Sequence, residues 1–477
     1  MIHLPILRQG RPYESVDQVQ IVHHATGAPV ARVSQANAGL IARDLSRLDD
    51  AVLEGMTVAE LIAACRAAAD LFLSATLPLG DGRQSFEEYI RQLSATTGMP
   101  VGYCRGNAEK IAFVLREIED VLAGLTRGLD LSVLDRGVGD ADGRIVSFFR
   151  AGRVFGAVLP SNSPGVHSLW IPAIPLKAPV VLKPGREEPW TPWRILQAFH
   201  AAGVPGDALN FYPCDHAGAG EILRRADRSM LFGDVSTTRP YLGNPHIEIH
   251  GPGFSKVLLG DDVAENWEQH IEIIASSIEA NCGRSCINAS GVWTPRHGRE
   301  IADALARRFS AIEALPADHP DARVAAFANP EMARRISAVI DADLRVPGAE
   351  DVTERVRGGP RLVMRDRCAW LLPTVVRCDA REHPLANREF LFPYASVVEC
   401  PTADMPEAIG STLVATAITA DSQFRWRLMS AGNIDRLNVG AIPTWRISWN
   451  QPHEGNLFEH LYRQRAFQEA PSAASVA

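Results

Sequence analysis

Apolar residues follow a helical period in the first part of the chain. In segments 57–75 and 107–125 they recur at the spacing of one helix face, which predicts two long helices with Thr57 and Asn107 as N-caps. The Gly- and Asp-rich stretch 135–144 has the composition of tight turns, so it predicts a hairpin or an excursion from the main fold. We therefore expect residues 1–130 to be mostly helical after an irregular start.

From residue 145 onward, short apolar runs alternate with amphipathic segments. The runs lack a polar face, which indicates strands that are buried on both sides. Because such strands alternate with helices, the pattern predicts a parallel sheet and an α/β fold. We predict strands at 152–160, 178–184, 208–213 and 228–233, and helices at 191–203, capped by Thr191, and at 217–226.

Polar residues follow each predicted strand. The strand ends read LPSNSP, LKPGRE, YPCDHAGAG and FGDVS. Ligands of open parallel sheets bind at the carboxyl ends of the strands. The sequence therefore predicts a binding cleft at this edge of the sheet.

The segment from residue 246 leads to a pair of cysteines. Two extended pieces are predicted around the Gly-Pro-Gly turn of 246–260, and an amphipathic helix over 263–281. That helix ends at Cys282 and Gly283, so Cys286 is expected just beyond a helix terminus. A second α/β region extends to about residue 440, and the Ala- and Ser-rich end of the chain is predicted to be disordered.

Composition limits the classes of function. The chain has 477 residues, of which 46% are hydrophobic and 22% charged, and a formal net charge of −8. This acidic balance does not suggest a nucleic-acid partner. No apolar run is long enough to cross a bilayer and the start lacks a signal-peptide pattern, so we expect a cytoplasmic protein without a membrane partner.

The eight cysteines are irregularly spaced, and none forms a CxxC motif. In a cytoplasmic chain such cysteines are free thiols, most of which fill the core. Cys282 and Cys286 have no second pair nearby, so no metal site is expected. We expect Cys282 to be inert and Cys286 to be reactive.

Five motifs in a fixed order carry a resemblance to a known family. The order LPSNSP, VVLKPGRE, LFGDVS, NCGRSC and REFLFPYASVVE resembles the aldehyde dehydrogenase superfamily over about residues 150–445. The resemblance implies a Rossmann-like cofactor domain, an α/β catalytic domain and a small oligomerisation arm that forms homodimers or homotetramers. We assign 1–130 with 150–249 to the first, 250–440 to the second, and 131–149 with 441–477 to the arm and tail.

The resemblance also implies roles for individual residues. Cys286 matches the nucleophile, and Asn162 matches the amide of the oxyanion hole. NAD(P) is the implied cofactor. The positions expected to bind it are Pro160, Ser161, Lys183, Arg186, Gly220, Gly233, Asp234, Glu389 and Leu391.

The implied chemistry requires these residue types. A thiolate adds to the aldehyde carbon and gives a thiohemiacetal. Asn162 Nδ2 and the Cys286 backbone N–H would stabilise its oxyanion, an effect of about 3–4 kcal/mol per donor in other enzymes. Hydride then leaves for the nicotinamide, and water or another thiol releases the acyl group from the thioester.

The chain departs from the family at the water-activating base. Hydrolytic members carry a glutamate in an ELGG-like segment, whereas this chain has IEIHGPG. His250 occupies the position that corresponds to this glutamate. Glu248 lies on the same face of the predicted strand, where it would orient His250 as a general base. Two other interpretations are that His250 lines the substrate pocket or that it packs in the core.

A second interpretation of the reaction needs no such base. The segment HGPGFSKVLL is similar to the GPGN-type segment of CoA-acylating aldehyde dehydrogenases, in which a thiol takes the acyl group. CoA is then a co-substrate, and an acyl thioester is the substrate of the reverse reaction. A non-catalytic member of the fold is a third hypothesis, and the retained Cys286, Asn162 and Lys183 argue against it.

The cofactor and the substrate are only partly specified. Arg186 stands where NAD-preferring relatives carry a glutamate, and its fork suits a 2′-phosphate, which favours NADP. Glu187 or Glu188 would hold the ribose hydroxyls in the alternative. The aromatic residues hint at an apolar or aromatic aldehyde, in a pocket lined by His167, Trp170 and Trp445.

Overall fold

The computed structural model describes residues 1–141 and 143–469. The predicted disorder of the Ala- and Ser-rich end falls at residues 470–477, outside the described residues.

The described strands are β1 Ile2–Leu4, β2 Ile6–Arg8, β3 Arg11–Tyr13, β4 Gln18–Val22, β5 Pro29–Ser34, β6 Leu77–Leu79, β7 Gly82–Gln84, β8 Val138–Ala141, β9 Arg144–Arg150, β10 Phe155–Val158, β11 Val180–Lys183, β12 Leu209–Phe211, β13 Arg228–Phe232, β14 Ile247–His250, β15 Lys256–Leu259, β16 Gly291–Thr294, β17 Ala349–Asp351, β18 Leu362–Arg365, β19 Cys368–Leu371, β20 Thr374–Cys378, β21 Tyr394–Glu399, β22 Thr412–Ile418, β23 Ile434–Val439 and β24 Tyr462–Arg465.

The described α-helices are α1 Ala38–Leu45, α2 Val58–Ser74, α3 Phe86–Thr97, α4 Val101–Arg116, α5 Ile118–Leu125, α6 Val133–Arg136, α7 His167–Trp170, α8 Trp190–Ala201, α9 His216–Arg225, α10 Val235–Thr238, α11 Ile271–Glu279, α12 Gly298–Ser310, α13 Pro330–Asp343, α14 Val352–Arg357, α15 Met405–Ala408, α16 Ser422–Met429 and α17 Leu457–Leu461. Short 3₁₀ helices lie at Pro164–Val166, Ile171–Ala173, Gly206–Ala208, Arg239–Tyr241, Ala264–His270 and Ala280–Gly283.

The first sheet has the strand order β14-β13-β10-β11-β12-β2-β3. The strands from β14 to β12 are parallel, and β2 and β3 join the far edge antiparallel. The order along the chain reverses between β10 and β13, so their carboxyl ends form the topological switch point at which such sheets bind ligands. Each strand predicted from residue 145 to 233 lies in this sheet.

The second sheet has the order β17-β20-β21-β16-β15-β22-β23 and is parallel except for β17. A third, antiparallel sheet joins β24 from the tail to the hairpin β8–β9. The hairpin expected at 135–144 is therefore present. The α/β fold class is confirmed, and the assignment of three domains to these regions stays a prediction.

Two predicted N-caps are wrong. The predicted helix at 107–125 is two helices, and α4 begins at Val101 after Pro100, so Asn107 lies inside it. Gly102 and Gly106 weakened the helical signal before Asn107, and packing against α2 overrides their low propensity. Likewise, α8 begins at Trp190, and Thr191 lies in its first turn rather than at its cap.

The core of the first sheet supports the edge formed by the carboxyl ends of its parallel strands. Phe155, Leu182 and Phe211 from the strands pack with residues of α2, α4 and α8 in one apolar cluster. A separate cluster under the second sheet includes Val257 of β15 and Val292 of β16. In the chain, these two strands precede and follow the loop that carries Cys286. No described helix combines the length and the apolar character that crossing a membrane would require.

Candidate active site

A cavity of about 440 Å³ opens at the switch point of the first sheet. Pro160, Ser161 and Asn162 line it from the end of β10, and Gly233 and Asp234 line it from the end of β13. Cys286, Glu389 and Leu391 complete the same wall from the second sheet region. His250 also lines it, so the structure brings nine of the residues expected at the site into one cavity, which we call the cofactor cavity.

The loop before Cys286 has an unusual backbone. The predicted helix 263–281 is broken into a 3₁₀ segment, α11 and a second 3₁₀ segment. Asn281 and Cys282 have φ angles of 51° and 58°, in the left-handed region that side chains other than glycine rarely adopt. Asn107 Nδ2 donates to Asn281 Oδ1 at 2.7 Å, and Asn281 Nδ2 donates to Ser163 Oγ at 2.9 Å. These bonds hold the strained turn and tie it to the residue that follows Asn162.

Arg284 and Asn162 make further contacts that fix the position of the loop. Arg284 is buried, donates to the carbonyls of Thr97 and Ala326 at 3.3 and 2.9 Å, and lies over the Phe327 ring. Asn162 Nδ2 donates to the Arg284 carbonyl at 2.7 Å. The amide expected at the oxyanion hole thus lies beside the loop that carries Cys286, with one of its two N–H groups engaged by the backbone.

A turn after β14 packs directly on Cys286. Ser255 Oγ donates to the Cys286 carbonyl at 2.7 Å. A Cβ on Gly253 would lie 2.0 Å from that oxygen, so only glycine allows this approach. Glu389 accepts from the backbone N–H groups of Gly253 and Phe254 at 3.2 and 2.5 Å, and burial raises its pKa to about 7. Glu389 therefore holds this turn, and its role toward a ribose stays a prediction.

The two cysteines differ in environment. Cys282 is buried and its pKa is raised to about 12 by burial, as expected for an inert thiol. Cys286 is only half-buried and lines two cavities. Its pKa is raised well above the usual value, by burial first and then by the charges of Glu454 and Glu389. The resting thiol is therefore protonated at neutral pH, and its attack on a carbonyl requires a proton acceptor.

Glu454 supplies a carboxylate at the thiol. Its Oε2 lies 3.9 Å from Cys286 Sγ and 3.0 Å from His250 Nδ1, and His250 Nε2 lies 3.5 Å from Glu248 Oε1. The ring of His250 is buried and stacked on Phe232 at 4.6 Å. Neither ring nitrogen has hydrogen-bond alignment to an oxygen, so the contacts are charge pairs across a short gap. Cys286, Glu454, His250 and Glu248 form one continuous chain.

The charge state of His250 follows from its neighbours. Burial alone would lower its pKa, but Glu454 and Glu248 raise it to about 10. The ring is therefore an imidazolium at neutral pH. This charge state does not favour the predicted role of His250 as a general base, since a base must be unprotonated to accept a proton.

A family model describes this chain over most of its length. The model of the Aldehyde dehydrogenase family matches residues 13–411. The chain belongs to the aldehyde dehydrogenase family.

Relatives of this aldehyde dehydrogenase family member are distant. N-succinylglutamate 5-semialdehyde dehydrogenase of Vibrio cholerae serotype O1 (strain M66-2) is 24% identical over 262 residues, which are 52% of this chain and 51% of that protein. The chain thus spans about half the length of the curated relatives it matches. The aldehyde dehydrogenase KauB from Pseudomonas aeruginosa has a TM-score of 0.78 at 16% identity, over 98% of this chain and 96% of that one.

A structure of an aldehyde dehydrogenase from Bacillus cereus in complex with NAD+ has a TM-score of 0.77 at 15% identity, over 97% of this chain and 96% of that one. At such identities these likenesses show the fold.

The remaining positions expected to bind the cofactor lie outside the cavity wall. Lys183 ends β11 and forms no ion pair in the part of the chain that the structure describes. Burial lowers the pKa of Lys183, and the smaller effects of Cys214 and Glu187 act in the opposite direction. Arg186 is exposed, and a Cβ on Gly220 would meet open space. Lys183 is therefore an amine at the strand ends without a carboxylate partner among the described residues. Its role toward the cofactor stays a prediction.

The two acidic residues after Arg186 point to different places. Glu188 is buried, lies 2.9 Å from His167 Nε2 and accepts from the Thr191 backbone, so it is committed to the core. Glu187 lines the cofactor cavity. Of the two, only Glu187 is placed to meet a ribose.

A second cavity of about 640 Å³ also reaches Cys286, and we call it the substrate cavity. Trp445 lines it, as expected. His167 and Trp170 do not, because both are fully buried and Trp170 Nε1 donates to His167 Nδ1 at 2.9 Å. Their assignment to the substrate pocket is therefore wrong. The hydrogen bond between these two side chains satisfies polar atoms that would otherwise be unpaired in the core.

Sequence reasoning missed two residues of the site. Glu454 lies 168 positions after Cys286, in the segment PHEGNLFEH near the end of the chain. Lys110 is in α4 and lines the substrate cavity. The signal at Glu454 is Gly455, whose φ of 71° and missing Cβ admit the Glu248 carboxylate. Among the described residues, no group of His, Cys, Asp or Glu is arranged to hold a metal ion.

Proposed function

We propose that the protein is an NAD(P)-dependent aldehyde dehydrogenase that oxidises an aldehyde to its acid through a thioester on Cys286. The observation that carries this proposal is the half-buried Cys286 thiol, which borders both cavities and has the Glu454 carboxylate 3.9 Å away. A nucleophile with a proton acceptor beside it and open space for two ligands is the minimum that this chemistry needs.

Glu454 acts as the base in both halves of the reaction. As Cys286 Sγ bonds to the aldehyde carbon, the thiol proton moves to Glu454 and the carbonyl oxygen takes the negative charge. Once the thioester has formed, Glu454 releases this proton to solvent. In the second half Glu454 takes a proton from water as the water oxygen bonds to the acyl carbon, and it returns that proton to Cys286 Sγ when the C–S bond breaks and the acid leaves. His250, as the imidazolium, orients Glu454 through the 3.0 Å contact of its Nδ1, and Glu248 orients His250.

The oxyanion hole is formed by Asn162 Nδ2 and the backbone N–H of Cys286. Asn162 donates one N–H of its Nδ2 to the Arg284 carbonyl in this structure, and the second N–H of the same amide would donate to the oxyanion. NAD(P), when bound, supplies the acceptor for the hydride that turns the thiohemiacetal into the thioester. Pro160, Ser161, Lys183, Gly220, Gly233, Asp234, Glu389 and Leu391 would hold it.

We propose NADP as the preferred cofactor, with the exposed Arg186 on the 2′-phosphate. The support is the guanidinium fork and the absence of a carboxylate partner for Arg186 among the described residues. In Arg186→Gln the ratio of kcat/KM with NADP to that with NAD falls about tenfold, whereas Arg11→Gln, at the exposed far edge of the same sheet, leaves it unchanged. A reversed ratio in the wild type would contradict the preference.

Water is the acyl acceptor in this proposal. A carboxylate beside the thiol is what hydrolysis requires, whereas transfer to CoA needs no strong base. The test is to supply aldehyde and NADP with and without CoA. Acid formation at equal rates in both supports the proposal, and turnover only with CoA would support the CoA-acylating alternative.

Homodimeric or homotetrameric assembly and a cytoplasmic location stay predictions, and light scattering tests the first of them.

A further inference from the structure

The substrate cavity carries an uncompensated positive charge. Its charged lining residues are Lys110, Glu279 and Arg446. Glu279 is already paired with Arg308 at 3.2 Å and Arg323 at 2.5 Å. For Lys110 and Arg446, no carboxylate lies within ion-pair distance in the part of the chain that the structure describes. Two cations and one neutralised acid therefore face the space that leads to the thiol.

Lys110 sits deep in this cavity and close to the reacting groups. A Cβ on Gly165 would lie 3.5 Å from Lys110 Nζ, and Gly165 follows Asn162 by three positions in the chain. The ammonium lies over the Trp449 ring, 5.5 Å from its centroid. Burial lowers the pKa of Lys110 to about 8, so the amine is mostly protonated at pH 7. The aromatic face supports a cation but does not neutralise it.

The rest of the cavity suits a hydrocarbon chain. Tyr103, Leu169, Ile447 and Trp449 line it, and the exposed Trp445 and Arg446 stand at its outer part. His453, which also lines it, is neutral, because burial and the neighbouring Arg436 and Lys110 lower its pKa well below the usual value. Apolar walls with a fixed cation recognise a ligand with an apolar middle and an anionic end.

We propose that the substrate is an aldehyde whose far end carries a carboxylate, which Lys110 binds in the substrate cavity while the carbonyl carbon meets Cys286. This inference rests on the proposed function, since it names the substrate class of that same site. The expectation of an apolar or aromatic aldehyde is kept for the middle of the substrate, which contacts the apolar walls. It changes at the far end of the substrate, where Lys110 binds a carboxylate. Arg446 assists at the outer part of the cavity.

The test compares matched substrates. Succinic semialdehyde is paired with butanal, and adipic semialdehyde with hexanal, and kcat/KM is measured for each. We expect the wild type to favour at least one acid-terminated aldehyde over its neutral partner. In Lys110→Met the acid-terminated aldehydes lose about 10- to 100-fold in kcat/KM, the neutral ones lose less than about threefold, and Lys110→Arg retains most of the preference.

Controls separate substrate binding from other roles of Lys110. Arg116→Met changes an exposed cation on the same helix, outside the cavity, and leaves the preference intact. An equal loss for charged and neutral aldehydes in Lys110→Met would mean that Lys110 acts on the thiol or on folding, and would overturn the inference. If Lys110→Met does not fold, Arg446→Gln is expected to weaken the same preference to a smaller extent, and its failure to do so would count against the inference.

A second measurement does not depend on turnover. Adipate binds without reacting, so it should slow the alkylation of Cys286 by iodoacetamide in the wild type and fail to do so in Lys110→Met, while hexanol protects both variants equally. If no aldehyde gives acid or NAD(P)H, the proposed function fails, but protection by adipate still decides whether the cavity selects anions. Absence of protection in the wild type would overturn the inference.

Discussion

At the scale of single residues, the site depends on one carboxylate that faces two partners. Glu454 lies 3.9 Å from the Cys286 thiol and 3.0 Å from His250. Burial, and then the charge of Glu454, raise the pKa of the thiol, and Glu454 also raises the pKa of His250. In the proposed reaction the same group helps to keep the Cys286 thiol protonated at rest and accepts its proton during attack.

Replacing this carboxylate should move two measurements in opposite directions. In Glu454→Gln we expect turnover to fall by about 10²- to 10⁴-fold, because the base is lost. Alkylation of Cys286 by iodoacetamide at neutral pH should become faster, because removing the neighbouring charge lowers the pKa of the thiol, with about a tenfold gain per pKa unit. Steady-state rates and peptide mass spectrometry measure the two.

The matched control is Glu459→Gln, which changes an exposed glutamate of α17 that pairs with Arg127. It should alter neither quantity. A parallel decrease of turnover and alkylation in Glu454→Gln would instead indicate that the loop around Cys286 had been disrupted.

The sequence identified residues that belong to local motifs and missed those that meet only in three dimensions. Cys286 and Asn162 were found because each sits in a short motif after a predictable element. Glu454 reaches the thiol from the tail, and Lys110 lines the adjoining cavity from α4. Nothing in local periodicity relates positions so far apart in the chain. His167 failed for a related reason, since its partner Glu188 could not be inferred from spacing.

At the scale of elements, the cysteine loop is a strained turn held by its neighbours. The left-handed conformations of Asn281 and Cys282 persist because the Asn281 side chain bridges Asn107 of α4 and Ser163 after β10. The strand patterns predicted β14 and β15 within 246–260, whereas the helix predicted at 263–281 begins only at Ile271 as α11. They did not predict the turn itself, since positive φ angles at residues other than glycine leave no periodic signal.

Removing the bridge should loosen the turn. In Asn107→Ala we expect the free energy of unfolding to fall by about 1–3 kcal/mol, because a buried amide oxygen of Asn281 loses its donor. The value of kcat should fall more than the affinity for cofactor, since Cys286 is displaced while the first sheet is not. Glu109→Ala, an exposed change on the same helix, is the control. Unchanged stability and kcat in Asn107→Ala would show that the turn holds without the bridge.

At the scale of the whole molecule, the active site lies where the tail meets both large sheets. His250 ends β14 of the first sheet, Cys286 precedes β16 of the second, and Glu454 precedes α17. The α/β class follows from alternating strands and helices, so it could be predicted from the sequence. The path of the tail across the first sheet could not, because β24 pairs with β9 more than three hundred positions earlier.

Burying an imidazolium between carboxylates makes stability depend on pH. The folded pKa of His250 is about 10, above its ordinary value of about 6.5. Its contribution to stability is therefore fully present below about pH 6.5 and is lost as the pH rises through about 10. We expect the difference in unfolding free energy between wild type and His250→Gln to shrink over this interval, as measured by denaturant unfolding at several pH values. A difference that stays constant or grows would show that His250 is neutral in the folded protein.

The central claim is that Cys286 carries the acyl group and Glu454 activates the water that removes it. The most direct measurement is the mass of the Cys286 peptide after aldehyde and NADP are mixed with the protein and quenched with acid. The account predicts an acyl adduct on this peptide that is short-lived in the wild type and persists in Glu454→Gln without CoA. An adduct on another cysteine, or one that disappears equally fast in both proteins, would contradict it.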